Sequence, residues 1–376
     1  MIIRKPPMGW NTWNTFGPDI SETLIMESAR AMVDTGLKDA GYEYIVIDDM
    51  WSLKERDENG RLQPDPAKFP HGMKYLSDYV HSLGLKFGMY SCGGYLTCGG
   101  HPGSYGHEWE DARTFAEWGV DLLKYDYCFH PASVDGAAIY RQMGLALANC
   151  GRDILFMACS WGVNDTRQWI RQTGAHTWRS TGDINDSWVS IRDIALSQIQ
   201  AQEYNAPGCY NDMDMLVVGM YGKGNVGLSG CTDIQYKTHF AIWAFLGSPL
   251  MIGCDIRNMS QAARDILTNQ EMIAINQDPL LRQPYPIQGI WGNSDLLMYA
   301  RNLSNGDIAI GLFNLNEEKC MARFNLDELG LPLSLGKTLE MKDIWTGKEA
   351  KAVNGTVMWE LEPCDCAVFR AKLVDL

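Results

Sequence analysis

Eight short apolar runs recur through roughly the first 285 residues, each ending in polar or glycine-rich residues and each followed by a segment with helical spacing. The runs are Met8 to Asn11, Tyr44 to Ile47, Lys86 to Tyr90, Leu122 to Tyr125, Ile154 to Ala158, His176 to Arg179, Gly208 to Asn211 and Leu250 to Gly253. Several, such as Tyr44-Ile-Val-Ile47, are apolar throughout and do not alternate, as parallel strands buried on both faces require. Between them the spacing predicts helices. One runs from Glu22 to Asp34 behind an N-cap at Ser21, and another starts near Asp233 with the capping-box pattern Thr232-x-x-Gln235. Strand–helix alternation implies right-handed crossovers, and eight units suit a closed (β/α)8 TIM barrel. A doubly wound open sheet is the other fold this alternation allows. Beyond Pro284 the pattern changes to apolar runs joined by short turns, such as Leu296 to Ala300, Ile308 to Phe313 and Cys366 to Phe369. That predicts a C-terminal antiparallel β-sandwich domain, with residues 1–285 as the barrel and 286–376 as the β-domain.

Composition narrows the function. Forty-six acidic against 32 basic residues give a net charge of −14, the wrong sign for a protein that tracks phosphates. No apolar stretch approaches the roughly 18–20 residues of a membrane span. The start, Met1-Ile-Ile-Arg-Lys-Pro-Pro, lacks the apolar core of a signal peptide, so a cytoplasmic location is expected, with neither membrane nor nucleic acid as partner. Eleven cysteines, an odd number over a long chain, do not read as a secreted disulfide framework. Thirteen Trp and 16 Tyr offer flat surfaces for sugar rings as well as core.

A barrel builds its active site at the C-terminal ends of its strands. Here those ends carry Trp10 and Trp13, Asp48-Asp49 with Trp51, Tyr90-Ser-Cys, Lys124-Tyr-Asp126, Cys159-Ser160-Trp161, Arg179 to Asp183, Asp212 with Asp214, and Asp255. Each carboxylate alone could be a helix cap; together they point to glycoside hydrolysis, which needs one carboxyl group as nucleophile or base and another as proton donor. Lys124 lies two residues from Asp126 on one strand face and favours its ionised form. Asp183, at the end of a different strand, is the natural acid, and that role needs its pKa held up in the free site. Competing motifs are weak. Gly222-x-Gly224-x-x-Gly227 does not follow a strand in a first βα turn, no zinc-type His pair appears, and Cys364-x-Cys366 falls in the β-domain. Neither metal nor organic cofactor is expected.

The strand-end motifs resemble those of glycoside hydrolase family 27, the α-galactosidase (melibiase) and α-N-acetylgalactosaminidase family, over nearly the whole chain. The matching stretches are Pro7 to Trp13, Ile47-Asp-Asp49 with Trp51, Gly88-Met-Tyr90, Thr97 to Ser104, Gly119 to Cys128, Trp178-Arg179 with Gly182-Asp183-Ile184, and Asn211 to Leu216. The resemblance implies an exo-acting retaining α-galactosidase with Asp126 as nucleophile and Asp183 as acid/base, their carboxyl groups about 5–5.5 Å apart. By the same resemblance Asp48 and Asp49 hold the sugar's O6 and O4, Lys124 holds O3 and O4, Arg179 holds O2, and Trp13 and Tyr90 form an aromatic wall. The substrate class is then a small carbohydrate with a terminal α-linked galactose. Cys98 and Cys128 match a pair often bridged in the family, though a reducing cytosol favours thiols. One departure stands out. Many α-galactosidases carry Glu after the cysteine ending strand five, where this chain has Ser160 followed by Trp161; a small Ser resembles the arrangement that admits a 2-acetamido group. The alternative substrate is therefore an α-N-acetylgalactosaminide.

Overall fold

The computed structural model describes residues 5–199, 201, 204–287 and 295–376; the basic start Met1–Arg4 lies outside them. Eight parallel strands form where the apolar runs predict them: β1 Met8–Asn11, β2 Tyr44–Val46, β3 Lys86–Cys92, β4 Leu122–Asp126, β5 Leu155–Ala158, β6 Thr177–Arg179, β7 Tyr210–Asp212 and β8 Leu250–Ile252. Their order in the sheet is β8-β1-β2-β3-β4-β5-β6-β7, and every pairing is parallel. The two edges meet just after β7, where Leu216 N donates to Met251 O at 2.8 Å and Gly253 N to Leu216 O at 2.9 Å. A barrel results, and the open-sheet alternative falls away.

Every residue of β1, β2 and β5 is buried, which is why these runs, Asn11 apart, are apolar or glycine throughout. Helix Glu22–Asp34 starts at Ser21, whose hydroxyl accepts from Leu24 N at 3.2 Å. Helix Asp233–Phe245 carries the complete capping box of Thr232 and Gln235. Its sequence is apolar on most sides because it is covered on most sides. Phe240 and Trp243 belong to the core shared with the barrel, Phe245 packs edge-on against Phe313 at 5.8 Å, and Thr238 donates to Cys364 O at 2.8 Å. The crossover from β5 to β6 departs from the regular pattern. It is broken into the short turns Val163–Asp165, Thr166–Trp169 and Ile170–Thr173.

The C-terminal region is an antiparallel β-sandwich. One sheet has the strand order Tyr285–Pro286, Leu296–Asn302, Ile308–Asn314, Cys366–Asp375, Lys337–Asp343, Glu349–Ala350; the other pairs Cys320–Asn325 with Thr356–Leu361. Between them lies a second core that includes Ile310, Leu312, Phe324, Val357 and Phe369. No helix among the described residues is long and apolar enough to cross a membrane.

Candidate active site

At the C-terminal end of the barrel the strand geometry fixes a buried polar floor. Lys124 and Asp126 share one face of β4 because side chains alternate with period two. Lys124 Nζ and Asn11 Nδ2 both donate to Asp48 Oδ2, each at 2.7 Å, and the Asp49 amide donates to Asp48 Oδ1 at 2.9 Å. Asp49 accepts from Gly99 N at 2.7 Å and Met50 N at 2.6 Å. Burial raises the Asp49 pKa, against these hydrogen bonds. Asp126 accepts from Tyr90 Oη at 3.1 Å and from Tyr127 N at 3.0 Å. Burial pushes Asp126 up to about 6, with nearby Asp48 adding to the rise and Lys124, Tyr127 N and Arg179 opposing it. The sequence reading of Lys124 is thus right in sign, but desolvation outweighs the charge. For Lys124 itself the balance is reversed: burial disfavours the ammonium ion, yet Asp48, Cys159 and Asp126 hold its pKa above the usual range.

The rim is built on loops. Arg179, buried at the end of β6, donates through Nη2 to Asp183 Oδ1 at 2.7 Å and lies 2.9 Å from Asp214 Oδ2. Its Nη1 reaches the buried Cys159 Sγ at 3.6 Å. Asp214 also accepts from Ile184 N at 2.7 Å, so one carboxylate grips both the arginine and the backbone just after Asp183. Asp214 adopts a left-handed φ of 76°, held by Trp243 Nε1 on its carbonyl at 2.8 Å and by its own amide on Asp212 Oδ1 at 2.9 Å. The Asp183 side chain is 77% exposed. Although partial burial works the other way, the Arg179 charge and hydrogen bond hold its carboxyl below the usual range. The expectation of a raised Asp183 pKa in the free site is therefore overturned: of the two, it is Asp126 whose pKa is raised.

Trp13, Asp48, Asp49, Tyr90, Lys124, Trp161 and Arg179 line one cleft with both Asp126 and Asp183. Ser160 does not. It is fully buried, its hydroxyl bonded to Thr166 Oγ1 at 2.9 Å, and Trp161, with φ of 57°, turns its ring to the cleft instead. Asp255 also lies elsewhere, capping Ile256–Asn258 and paired with Arg257 at 2.9 Å. Cys98 and Cys128 form a disulfide, so the thiol pair expected of a reducing compartment is not what is found. Cys98 lines the cleft, and Tyr90 Oη lies 3.5 Å from its sulfur. The two sulfurs and an Asp126 oxygen lie within 4.8 Å of one another, but sulfurs joined to each other are not thiolate ligands for a metal. The sequence reading missed one neighbour of the pair and gave another no role. Asn11 carried no signal beyond its place at a strand end, whereas Asp214 was visible in Asn211-Asp-Met-Asp-Met215 without a partner to give it a task.

Comparison with known proteins finds similarity over nearly the whole chain. The family model described as alpha galactosidase A matches residues 5–278, and the alpha galactosidase C-terminal beta sandwich domain matches residues 293–371. An α-galactosidase of Cyamopsis tetragonoloba is 42% identical over 367 residues, covering 97% of this chain and 86% of the relative. The crystal structure of α-galactosidase I from Mortierella vinacea superposes with a TM-score of 0.87 at 32% identity, covering 98% of this chain and 97% of that one. A Saccharomyces cerevisiae α-galactosidase structure with raffinose gives a TM-score of 0.87 at 30% identity, covering 99% and 98%.

Proposed function

Since this chain belongs to the α-galactosidase (melibiase) family, glycoside hydrolase family 27, we propose that it releases terminal α-linked galactose from oligosaccharides or glycoconjugates with retention of configuration. The observation that carries the reading is the convergence of Asp126 and Asp183, from different strand ends, on one cleft floored by Asp48, Asp49 and Lys124. Asp126 attacks the anomeric carbon while Asp183 gives its proton to the departing oxygen, leaving a covalent galactosyl-enzyme. Asp183, now ionised, takes a proton from water, which attacks the same carbon and frees Asp126. Asp48 and Lys124 are already paired with each other, and so are preorganised to bind hydroxyls without reorganisation at the moment of reaction.

The Arg179 contact explains how Asp183 acquires its proton. In the free cleft Arg179 holds Asp183 ionised. When the 2-hydroxyl of the sugar takes an N–H of Arg179, that grip loosens and the carboxyl rises toward the range a proton donor needs. Tyr90 keeps the opposite carboxylate aligned through its 3.1 Å hydrogen bond.

The α-N-acetylgalactosaminide alternative rested on Ser160 opening room beside O2. With that hydroxyl bonded to Thr166 and the Trp161 ring on the cleft, no observation favours it over galactose. Initial rates on paired chromogenic α-galactoside and α-N-acetylgalactosaminide, with Asp126→Ala as control, test the proposal. Galactoside turnover should dominate and vanish in the variant; dominance of the N-acetylgalactosaminide would reverse the assignment.

A further inference from the structure

The glycine pattern Gly222-x-Gly224-x-x-Gly227, which does not sit in a first βα turn, lies against the turn that carries Trp13. Trp13 stands on a single helical turn, Trp13–Phe16, that has no side-chain cap. A turn that short does not hold itself, so its place comes from its neighbours. Part comes from the strand ends, where Asn11 Oδ1 accepts from Trp13 N at 2.9 Å and Thr15 Oγ1 donates to Gly253 O at 2.6 Å. The rest comes from the glycine-rich segment. Asn225 N donates to Thr15 O and Val226 N to Asn14 O, each at 3.0 Å, and Asn225 Nδ2 donates to Trp13 O at 3.3 Å. Gly224, with φ of 86°, permits the approach: a Cβ there would stand 2.8 Å from Thr15 Cα and 3.1 Å from Asn14 O. Where a dinucleotide fingerprint uses glycine to admit a pyrophosphate, this segment admits the chain's own backbone.

The segment is also tied to the loop that carries Asp183. Asp186, fully buried three residues beyond it, donates its amide to Val226 O at 3.0 Å, and its carboxylate accepts from Gly222 N at 2.6 Å and Tyr236 Oη at 2.8 Å. Strand Gly227–Gly230 then pairs with Asp186–Ser187. Trp13, Val226 and Asp183 line the cleft together. We propose that the glycine-rich segment is a strap, anchored on the Asp183 loop, that positions Trp13 against the sugar ring, and that Gly224 and Asn225 act on the reaction through Trp13. The inference rests on the reading of Trp13 as an aromatic wall for galactose. Such a wall contributes alike to bound substrate and transition state, so disturbing it should show in KM and not in kcat.

The test measures KM and kcat on a chromogenic α-galactoside for Gly224→Ala, Asn225→Ala, Trp13→Ala and the double variant Gly224→Ala with Trp13→Ala. Gly224→Ala forces the strap off the turn and should raise KM about ten-fold, with kcat within about two-fold of wild type. Asn225→Ala removes the side-chain bond to Trp13 O but keeps both backbone bonds, and so the fold; it should raise KM about three-fold. Trp13→Ala should raise KM at least as far as Gly224→Ala does, and the double variant should be no worse than Trp13→Ala alone, because both changes act on one contact. Unchanged KM in both strap variants, a loss that falls on kcat, or full additivity in the double variant overturns the strap. Unchanged KM in Trp13→Ala removes the aromatic wall and the strap with it, while the α-galactosidase reading stands. A wild type inactive on the α-galactoside removes that reading and the strap together.

Discussion

Asp126 and Asp183 line the same cleft, yet Asp126 is buried at the end of β4 while the Asp183 side chain stands 77% exposed on the loop after β6. On the floor, desolvation dominates and lifts a carboxylate toward neutrality despite the lysine beside it. On the rim, burial is also the largest single influence, but the charge and hydrogen bond of Arg179, with Lys124, together outweigh it and hold the carboxylate ionised. The proposed mechanism needs the reverse, Asp126 charged and Asp183 protonated. Below about pH 6 the free protein therefore carries a proton on Asp126 and not on Asp183, and on the proposed mechanism the substrate, by engaging Arg179, helps to reverse that. Each carboxylate is held by what its position makes dominant, and that decides how each should respond to substitution.

Removing the floor carboxylate should have the largest effect. Asp126→Asn is expected to cost at least about 10⁴-fold in kcat, as loss of a nucleophile does. The same change should raise the apparent Tm at pH 7.5. A carboxyl whose folded pKa is raised to about 6 binds more protons folded than unfolded, so it costs stability as pH rises from about 4 through 6 and the cost persists above. An inactive variant with a lower Tm would mean that Asp126 is held by favourable contacts, and the contrast with the rim would collapse.

On the rim, Asp183→Asn should lower kcat/KM on raffinose by about 10²–10⁴-fold, the range for general acid–base groups. In wild type, the pH profile of kcat/KM should be a bell in which the limbs belong to the pair. The upper limb should lie near pH 6, where the last shared proton leaves, and the lower limb below the usual carboxylate range. A plateau extending to pH 8 would show that Arg179 does not hold Asp183 ionised before substrate binds.

The same contrast governs what the sequence disclosed. Asp48-Asp49 and Lys124-x-Asp126 sit on strands, where period two dictates the face and the barrel dictates where that face points; their convergence was legible from order alone. Ser160 and Trp161 sit where the β5–β6 crossover breaks, and a left-handed residue decides which of the two reaches the cleft. No periodicity encodes that choice. The Arg179–Asp183 ion pair spans four residues of irregular backbone, not a helical turn, so its geometry was equally hidden. Likewise the sign of the Asp126 shift needed burial, which only the assembled barrel supplies.

The disulfide bridges strand end and loop, and its loss should fall between the two extremes. Cys98→Ser with Cys128→Ser opens a loop whose ends are 30 residues apart, worth roughly 3–4 kcal/mol of stability in the chain-entropy account. Because Cys98 lines the cleft and its sulfur lies 3.5 Å from Tyr90 Oη, kcat should also fall, by about ten-fold, as the aromatic wall shifts against Asp126. Loss of stability with kcat intact would assign the bridge to the scaffold alone.

Ser160→Ala should do least. Its hydroxyl meets only Thr166, which also donates to Val163 O at 2.6 Å, so removing it strands no buried donor. The cost should be at or below about 1 kcal/mol in stability. The ratio of galactoside to N-acetylgalactosaminide turnover should not move, because the residue that lines the cleft here is Trp161. Trp161→Ala then sharpens the point: by removing a side chain that lines the cleft, it should weaken both substrates' binding and shift the ratio where Ser160→Ala does not. If Ser160→Ala alone changes the ratio, the loop adopts a different course when sugar binds, and the rim is remodelled by substrate where the floor is not.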